Sequence, residues 1–175
     1  ENVVPISKSV KFQTVKKGAK ILVDDGKISL EVEKLMSNKT LLCKAEFDGV
    51  ISQRKGINFP GIELDLPSIT GQDEKDLELA LSKGTDWVAL SFVRSSYDYQ
   101  TLRDIITKLG FTTPILAKIE KWEAVKNMNE IIDVFDAVMV ARGDLGVELP
   151  LEQVPGIQKK VIKKAIKAGK PVVLA

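Results

Sequence analysis

From about residue 70 onward, helix-like and strand-like segments alternate, and this alternation limits the folds open to the chain. Amphipathic segments typical of helices lie between apolar runs typical of buried strands, at 87–93, 114–117, 137–141 and 171–175. Repeated strand–helix units place their strands side by side in a parallel sheet that the helices cover. The sequence therefore predicts an α/β fold for this part of the chain.

The predicted helices carry start and stop signals. Thr70 and Asp73 match a capping box ahead of the first helix, and Ser95 or Ser96 is the expected N-cap of the second. Apolar periodicity indicates further helices over 125–135 and about 157–168. Three of the four helices are followed by a glycine suited to a helix end, at Gly84, Gly110 and Gly169.

The first part of the chain has a different pattern. Strand-like runs on either side of residues 24–27, which contain Asp-Gly, predict a hairpin, and further strands are expected at 40–45 and 49–52. Glycine and proline punctuate residues 55–61. We therefore expect a small all-β domain, whole or in part, over residues 1–54, and an incomplete set of βα units over residues 55–175.

Both a doubly wound sheet and a TIM (β/α)8 barrel contain successive βα units. Lys118, Glu120 and Asp144 all lie where a predicted strand ends. Barrel enzymes collect their active residues at these strand ends. No glycine-rich dinucleotide fingerprint follows any strand, which argues against a Rossmann fold. The pattern favours part of a TIM barrel.

The charged strand ends indicate a chemistry. Lys118 and Glu120 are two residues apart, so their side chains point to the same side of a strand. Glu120 and Asp144 are suited to binding Mg²⁺ or Mn²⁺, and Lys118 to neutralising a phosphoryl group or an enolate. Gly143 would let the backbone turn tightly before Asp144, and the N–H groups there would hold an anion. A purely structural alternative remains open, in which Lys118 pairs with Glu120 and Asp144 caps a helix.

Composition excludes several other functions. The chain has no histidine, so imidazole bases, catalytic triads and histidine metal sites are ruled out. A net charge of +2 gives no bulk attraction to nucleic acid, and no apolar run is long enough to cross a membrane. With a single cysteine and no signal peptide, a cytoplasmic location is expected. Because the chain opens without methionine and stops within a predicted strand, we expect it to be a piece of a longer protein.

The motifs at 117–120 (Ala-Lys-Ile-Glu) and 139–148 closely resemble the pyruvate kinase family. Further similar motifs occur in family order over nearly the whole chain, at 23–26, 55–61, 91–94 and 168–172. The resemblance implies a catalytic TIM barrel interrupted by a small β-barrel lid. It also implies an enzyme, a glycolytic phosphotransferase that moves a phosphoryl group from phosphoenolpyruvate to ADP, giving pyruvate and ATP.

The resemblance assigns roles to individual residues. Lys118 matches the lysine that stabilises the phosphoryl transition state, and Glu120 and Asp144 match the ligands of Mg²⁺ or Mn²⁺. The substrate site corresponds to Lys118 and to the loop residues Arg142, Gly143 and Asp144. At the hinge, Lys55 matches a nucleotide-contacting lysine, and in the first domain Asp24 and Asp25 match the tip of the lid. For Asp25 and for Ser91, a role as turn former or barrel lining weighs equally.

The resemblance also implies what this chain lacks. The K⁺ ligands, and the contacts of the homotetramer expected for the full-length form, fall outside it. We therefore expect the segment alone to be inactive and marginally stable, because its barrel cannot close. Two alternatives stay open: another TIM-barrel enzyme acting on phosphoenolpyruvate or pyruvate, such as a dikinase or an aldolase, and a non-catalytic homologue that binds metabolites.

Overall fold

The computed structural model describes residues 3–6, 10, 12–62 and 67–175. The chain divides into two units, residues 1–66 and residues 67–175. This division comes later than the expected boundary after residue 54. Glu1, where the sequence opens, and residues 63–66, next to the division, lie outside the described residues.

The first unit contains an antiparallel sheet of four strands in the order β3-β2-β1-β4. The strands are β1 (Lys20–Val23), β2 (Ile28–Ser37), β3 (Thr40–Ala45) and β4 (Ile57–Asn58). The predicted hairpin is confirmed, with Val23 paired to Ile28 across the turn. The apolar core beside this sheet includes Val15, Ile21, Val32 and Phe59.

One predicted strand of the first unit is wrong. Residues 49–52 form no strand, and β4 instead pairs with β1 through Ile57 and Asn58. Asp-Gly followed by β-branched residues is a local signal, whereas pairing requires a free strand edge at the correct place. The free edge of β1 pairs with β4, whose residues lie in the segment 55–61 where we expected the domain junction. The first unit therefore extends past residue 54.

The second unit alternates helices and strands as predicted. Its strands are β5 (Val88–Leu90), β6 (Ile115–Ile119), β7 (Ala137–Val140) and β8 (Val172–Leu174). Its helices are α1 (Gly71–Ser82), α2 (Ser96–Lys108), α3 (Trp122–Lys126), α4 (Met128–Val134), α5 (Arg142–Glu148) and α6 (Val154–Lys167). A 3₁₀ turn, Leu151–Gln153, precedes α6.

The four strands of the second unit are parallel and adjacent in chain order, β5-β6-β7-β8. A doubly wound sheet reverses its strand order at a switch point. No reversal occurs within the described strands, so the order is that of a partial α/β barrel. Together with the antiparallel sheet, this confirms the predicted α/β class with a small all-β unit.

Local signals set the helix ends correctly. Thr70 is the N-cap of α1, and its side chain and that of Asp73 form the reciprocal capping box. Ser95, rather than Ser96, is the N-cap of α2. Gly84, Gly110 and Gly169 have φ values of +81°, +84° and +69°, conformations that favour glycine.

Two element lengths differ from expectation. The strand predicted over 87–93 is only β5, because the chain turns away at Phe92, whose φ is +57°. The single helix predicted over 125–135 is two short helices, α3 and α4, separated at Asn127. The side-chain amide of Asn127 donates to the carbonyl of Arg94 at 2.8 Å, so a tertiary contact occupies the residue between the two helices.

The core of the second unit lies between the sheet and its helices. Fully buried side chains from strands and helices meet there, including Ile106, Ile115, Phe135, Val138 and Val161. Burial of each large apolar side chain contributes about 1.5–3 kcal/mol, so this packing fixes the strand register. The register in turn sets where the strand ends lie, and the charged residues lie at those ends.

Candidate active site

The charged residues predicted to act together follow neighbouring parallel strands. Ile119 of β6 is paired in register with Val140 of β7, and the N–H of Ala141 donates to the carbonyl of Ile119 at 3.2 Å. Glu120 and Ala141 therefore leave the sheet side by side. The carboxyl ends of β5, β6 and β7 bring Ser91, Lys118 and the start of α5 to one edge.

Lys118 and Glu120 face each other, as strand alternation predicts. The Nζ of Lys118 lies 2.9 Å from Oε2 of Glu120 and donates a hydrogen bond to Oγ of Ser91 at 3.0 Å. The Lys118 side chain is 25% exposed and that of Glu120 only 2%. The ammonium is thus fixed from two strands while one side remains open to solvent.

Glu120 is a buried carboxylate with one oxygen to spare. Its Oε1 accepts the main-chain N–H of Phe92 at 2.6 Å. Its Oε2 lies at ion-pair distance from Lys118 but has no hydrogen-bond partner among the described residues. A buried carboxylate oxygen without a donor is suited to coordinating a cation, so the residue fits a divalent metal.

Phe92 is a site residue that sequence reasoning missed. Its φ of +57° is rare for a bulky residue, and its side chain is 58% exposed. This conformation accompanies the hydrogen bond that its N–H gives to Glu120. No sequence motif predicts a left-handed backbone conformation at a phenylalanine. Only the tertiary structure therefore shows that the main chain of Phe92 contributes to the site.

Asp98 holds the loop that contains Phe92, and it was also missed. This carboxylate is 3% exposed, and its Oδ2 accepts the N–H groups of Arg94 at 2.7 Å and Ser95 at 3.1 Å. The hydroxyl of Ser68 donates to its Oδ1. The one sequence signal that could have identified Asp98 is its capping-box position, three residues after Ser95.

The loop after β7 is a short helix rather than a tight turn. Gly143 lies inside α5 and is not among the residues with positive φ, so the expected turn at this glycine is wrong. A Cβ built on Gly143 meets nothing within 4 Å, which leaves its backbone open to a ligand. Asp144 is exposed in the first turn of α5, and the N-cap is Ala141, so Asp144 is not the cap itself.

Arg142 begins α5 and is directed along the edge of the sheet. Its Nε donates to the carbonyl of Ala175 at 3.0 Å, and its main-chain N–H reaches the same oxygen at 3.1 Å. Arg142 therefore ties the end of β7 to the end of β8. The rest of its side chain is exposed.

The predicted residues of the first unit also come together. Asp24 and Asp25 occupy the β1–β2 turn with φ values of +54° and +56°. The Nζ of Lys55 lies 3.1 Å from Oδ1 of Asp24, and Lys27 lies 3.1 Å from Oδ2. The Lys55 and Lys27 ammonium groups lower the pKa of Asp24 below its ordinary value.

Two further properties of the described part of the chain bear on its function. No group of three or more histidine, cysteine or acidic side chains there is arranged to hold a metal. Mg²⁺ in proteins commonly uses only one or two carboxylates and completes its shell with water and substrate oxygens, so a site of one or two acids falls outside this criterion. Among the described helices, none has the length and apolarity needed to cross a membrane.

Comparison with known proteins decides the family. The model of the family described as "Pyruvate kinase, barrel domain" matches residues 1–175. The chain belongs to the pyruvate kinase family. It is 45% identical over 176 residues to Pyruvate kinase 2 of Synechocystis sp., covering 100% of this chain and 30% of that protein.

Other pyruvate kinases from distant organisms are similarly related. The enzyme of Mycobacterium tuberculosis is 46% identical over 158 residues, which cover 90% of this chain and 33% of that protein. The pyruvate kinase of Naumovozyma castellii is 43% identical over 163 residues, covering 93% and 32%. The chain thus spans about a third of the length of the pyruvate kinases it matches.

Proposed function

We propose that this chain is the central portion of a pyruvate kinase that transfers a phosphoryl group from phosphoenolpyruvate to ADP, giving pyruvate and ATP in cytoplasmic glycolysis. The observation that carries the proposal is the Lys118–Glu120–Ser91 cluster at the carboxyl end of a parallel sheet. Residues 1–54 would be the lid, and residues 55–175 the middle of the catalytic barrel.

Lys118 is the proposed catalytic residue. An ammonium has three N–H donors, and here one is given to Ser91 while Glu120 attracts the group from another side. An N–H donor that is not given to Ser91 can meet an oxygen of the transferring phosphoryl group. Since phosphoryl transfer depends on positioning and charge neutralisation, this chain needs no histidine for it.

Glu120 and Asp144 would hold Mg²⁺ or Mn²⁺. The orphaned Oε2 of Glu120 supports this assignment. When bound, the divalent ion supplies positive charge to the phosphoryl oxygens. K⁺ would be held by residues outside this chain.

The loop after β7 would bind the substrate. Arg142, Gly143 and Asp144 begin the helix that follows Ala141, the residue that leaves the sheet beside Glu120, and the open backbone at Gly143 has room for the substrate carboxylate. In the first unit we assign Lys55 to nucleotide contact and Asp24 with Asp25 to the tip of the lid. A lid limits transfer to water by excluding solvent.

A coupled pyruvate assay of the full-length protein tests the proposal. With phosphoenolpyruvate, ADP and Mg²⁺, with and without K⁺, we expect turnover, and Lys118→Met should lower kcat by at least about 10²-fold. Lys126→Met removes an exposed lysine from α3 and should have no effect. The 175-residue segment alone should be inactive, and the full-length form should be a homotetramer by light scattering.

The same assay separates the alternatives. A dikinase or an aldolase would act on phosphoenolpyruvate or pyruvate, but it would not form ATP and pyruvate when phosphoenolpyruvate and ADP are the only substrates. A non-catalytic homologue would bind metabolites with no turnover. Either outcome for the full-length protein contradicts the proposal.

A further inference from the structure

A buried ion pair lies beside the site and has no part in the function proposed above. Lys121 and Glu148 form this pair, and their side chains are 17% and 1% exposed. Lys121 directly follows Glu120, and Glu148 is the last residue of α5. The pair therefore joins the end of β6 to the helix that carries Asp144.

The short helix α5 needs such an anchor. It has seven residues, about 10 Å of helix, and helices of this length are not stable alone. At its start it is fixed by its chain connection to β7, and Leu145 packs fully buried in the core. At its far end, Glu148 supplies a charged contact beside the apolar packing of Leu149.

The geometry of α5 relates this anchor to the metal ligand. Asp144 and Glu148 are four residues apart, so they lie on the same side of the helix. A rotation of α5 that displaced Glu148 from Lys121 would turn Asp144 by the same angle. On the other strand, Lys121 is adjacent in the chain to Glu120.

We propose that the Lys121–Glu148 ion pair is a positioning device that fixes Asp144 relative to Glu120. The proposal rests on the function proposed above, in which these two acids hold a divalent metal. Neither member of the pair needs to touch substrate. A buried ion pair demands a specific geometry, which makes it better suited to setting a register than an apolar contact.

A second buried acid, Glu123, adds negative charge near the Lys121–Glu148 pair. This second acid is 6% exposed, and its Oε2 has no hydrogen-bond partner among the described residues. Burial raises the pKa of Glu123 and the Glu148 charge adds to this, while a main-chain hydrogen bond and the charges of Lys121 and Arg94 oppose it. The positive charge of Lys121 thus stabilises two buried carboxylates, Glu148 through the ion pair and Glu123 through electrostatic attraction. Removal of Lys121 would affect both.

The test is a double-mutant cycle on Mn²⁺ affinity in the full-length protein. The single variants are Lys121→Met and Glu148→Gln, with Lys126→Met and Glu152→Gln as exposed controls that remove the same charges. We expect each single variant to weaken Mn²⁺ binding by roughly 10–100-fold, as for other groups that orient metal ligands. The double variant should bind like either single variant, and the controls like wild type.

A merely structural pair would lower the thermal midpoint but leave Mn²⁺ affinity of the folded protein unchanged, and this result would overturn the proposal. Additive effects would also contradict it. If a single variant does not fold, the apolar pair Lys121→Met with Glu148→Met replaces it, because such pairs often keep a fold intact. That variant should fold and bind Mn²⁺ weakly; wild-type affinity would refute the inference.

Failure of the proposed function has a different signature. If Glu120→Gln leaves Mn²⁺ affinity of the protein unchanged, the metal site itself is wrongly assigned. If Glu120→Gln weakens binding while the Lys121 and Glu148 variants do not, the site stands and only the positioning role fails.

Discussion

The ammonium of Lys118 is 2.9 Å from a carboxylate oxygen of Glu120 that accepts no hydrogen bond from the described residues. The ion pair compensates part of the burial of this oxygen, but no hydrogen bond fixes it in place. We therefore expect this oxygen to be available to a divalent ion, which links Glu120 to metal affinity.

Replacement of Glu120 by glutamine tests that link. The amide oxygen of Glu120→Gln still accepts the N–H of Phe92, so the loop should keep its shape. The lost charge should raise the Mg²⁺ concentration needed for half-maximal activity by about tenfold or more, since even groups behind a ligand contribute that much. Titration of activity against Mg²⁺ measures this. Glu152→Gln, at an exposed position, is the control, and an equal effect there would refute the assignment.

The left-handed backbone of Phe92 gives a second prediction. A non-glycine residue at positive φ costs about 1–2 kcal/mol, and the exposed phenyl ring contributes little packing. Phe92→Gly relieves this strain, so its free energy of unfolding should equal or exceed that of wild type, and Phe92→Val should be less stable than Phe92→Gly by about 1–2 kcal/mol. Denaturant unfolding of the full-length protein provides the comparison. Equal stability of the two variants would contradict a constrained backbone.

Asp98 should affect both stability and metal affinity, although it is not itself a proposed ligand. Asp98→Ala removes the acceptor for two main-chain N–H groups, so we expect a loss of about 1–3 kcal/mol in the free energy of unfolding. The loop that includes Phe92 should loosen, and Mg²⁺ affinity should fall with it. Asp104→Ala, exposed on the same helix, should change stability by less than about 0.5 kcal/mol. Similar losses for both variants would argue against the loop contact.

The hairpin acid of the first unit predicts a pH dependence. Lys55 and Lys27 lower the pKa of Asp24, so the folded state is stabilised while this carboxylate is charged. That contribution is present above the ordinary aspartate pKa and is lost as the pH falls through the lowered value. NMR titration should show the pKa of Asp24 rising toward its ordinary value in Lys55→Met. Lys39→Met, in the exposed β2–β3 turn, should leave it unchanged, and an unmoved pKa in Lys55→Met would exclude the ion pair in solution.

Much of the fold follows from short-range signals. The strand at Thr40–Ala45, the capping box of Thr70 with Asp73 and the helix end at Gly110 are confirmed. Each depends on residues within a few positions of one another along the chain. The break at Asn127 and the absent strand at 49–52 were mispredicted because each depends on a distant partner or a distant strand edge.

The candidate site divides in the same way. Lys118 and Glu120 were found because strand alternation is a local rule. Phe92 and the Lys121–Glu148 pair were missed, because their contacts join residues 28 and 27 positions apart. Side chains at that separation meet only when the buried core sets the strand register.

The sequence by itself determined the order of the elements, the residue types at each strand end and the family to which they point. Tertiary structure alone decided that a strained phenylalanine supplies a donor to Glu120, and that an ion pair joins β6 to α5. The reason is physical: periodicity and caps arise from neighbours along the chain, while a buried charge is satisfied by whichever group the packing brings to it.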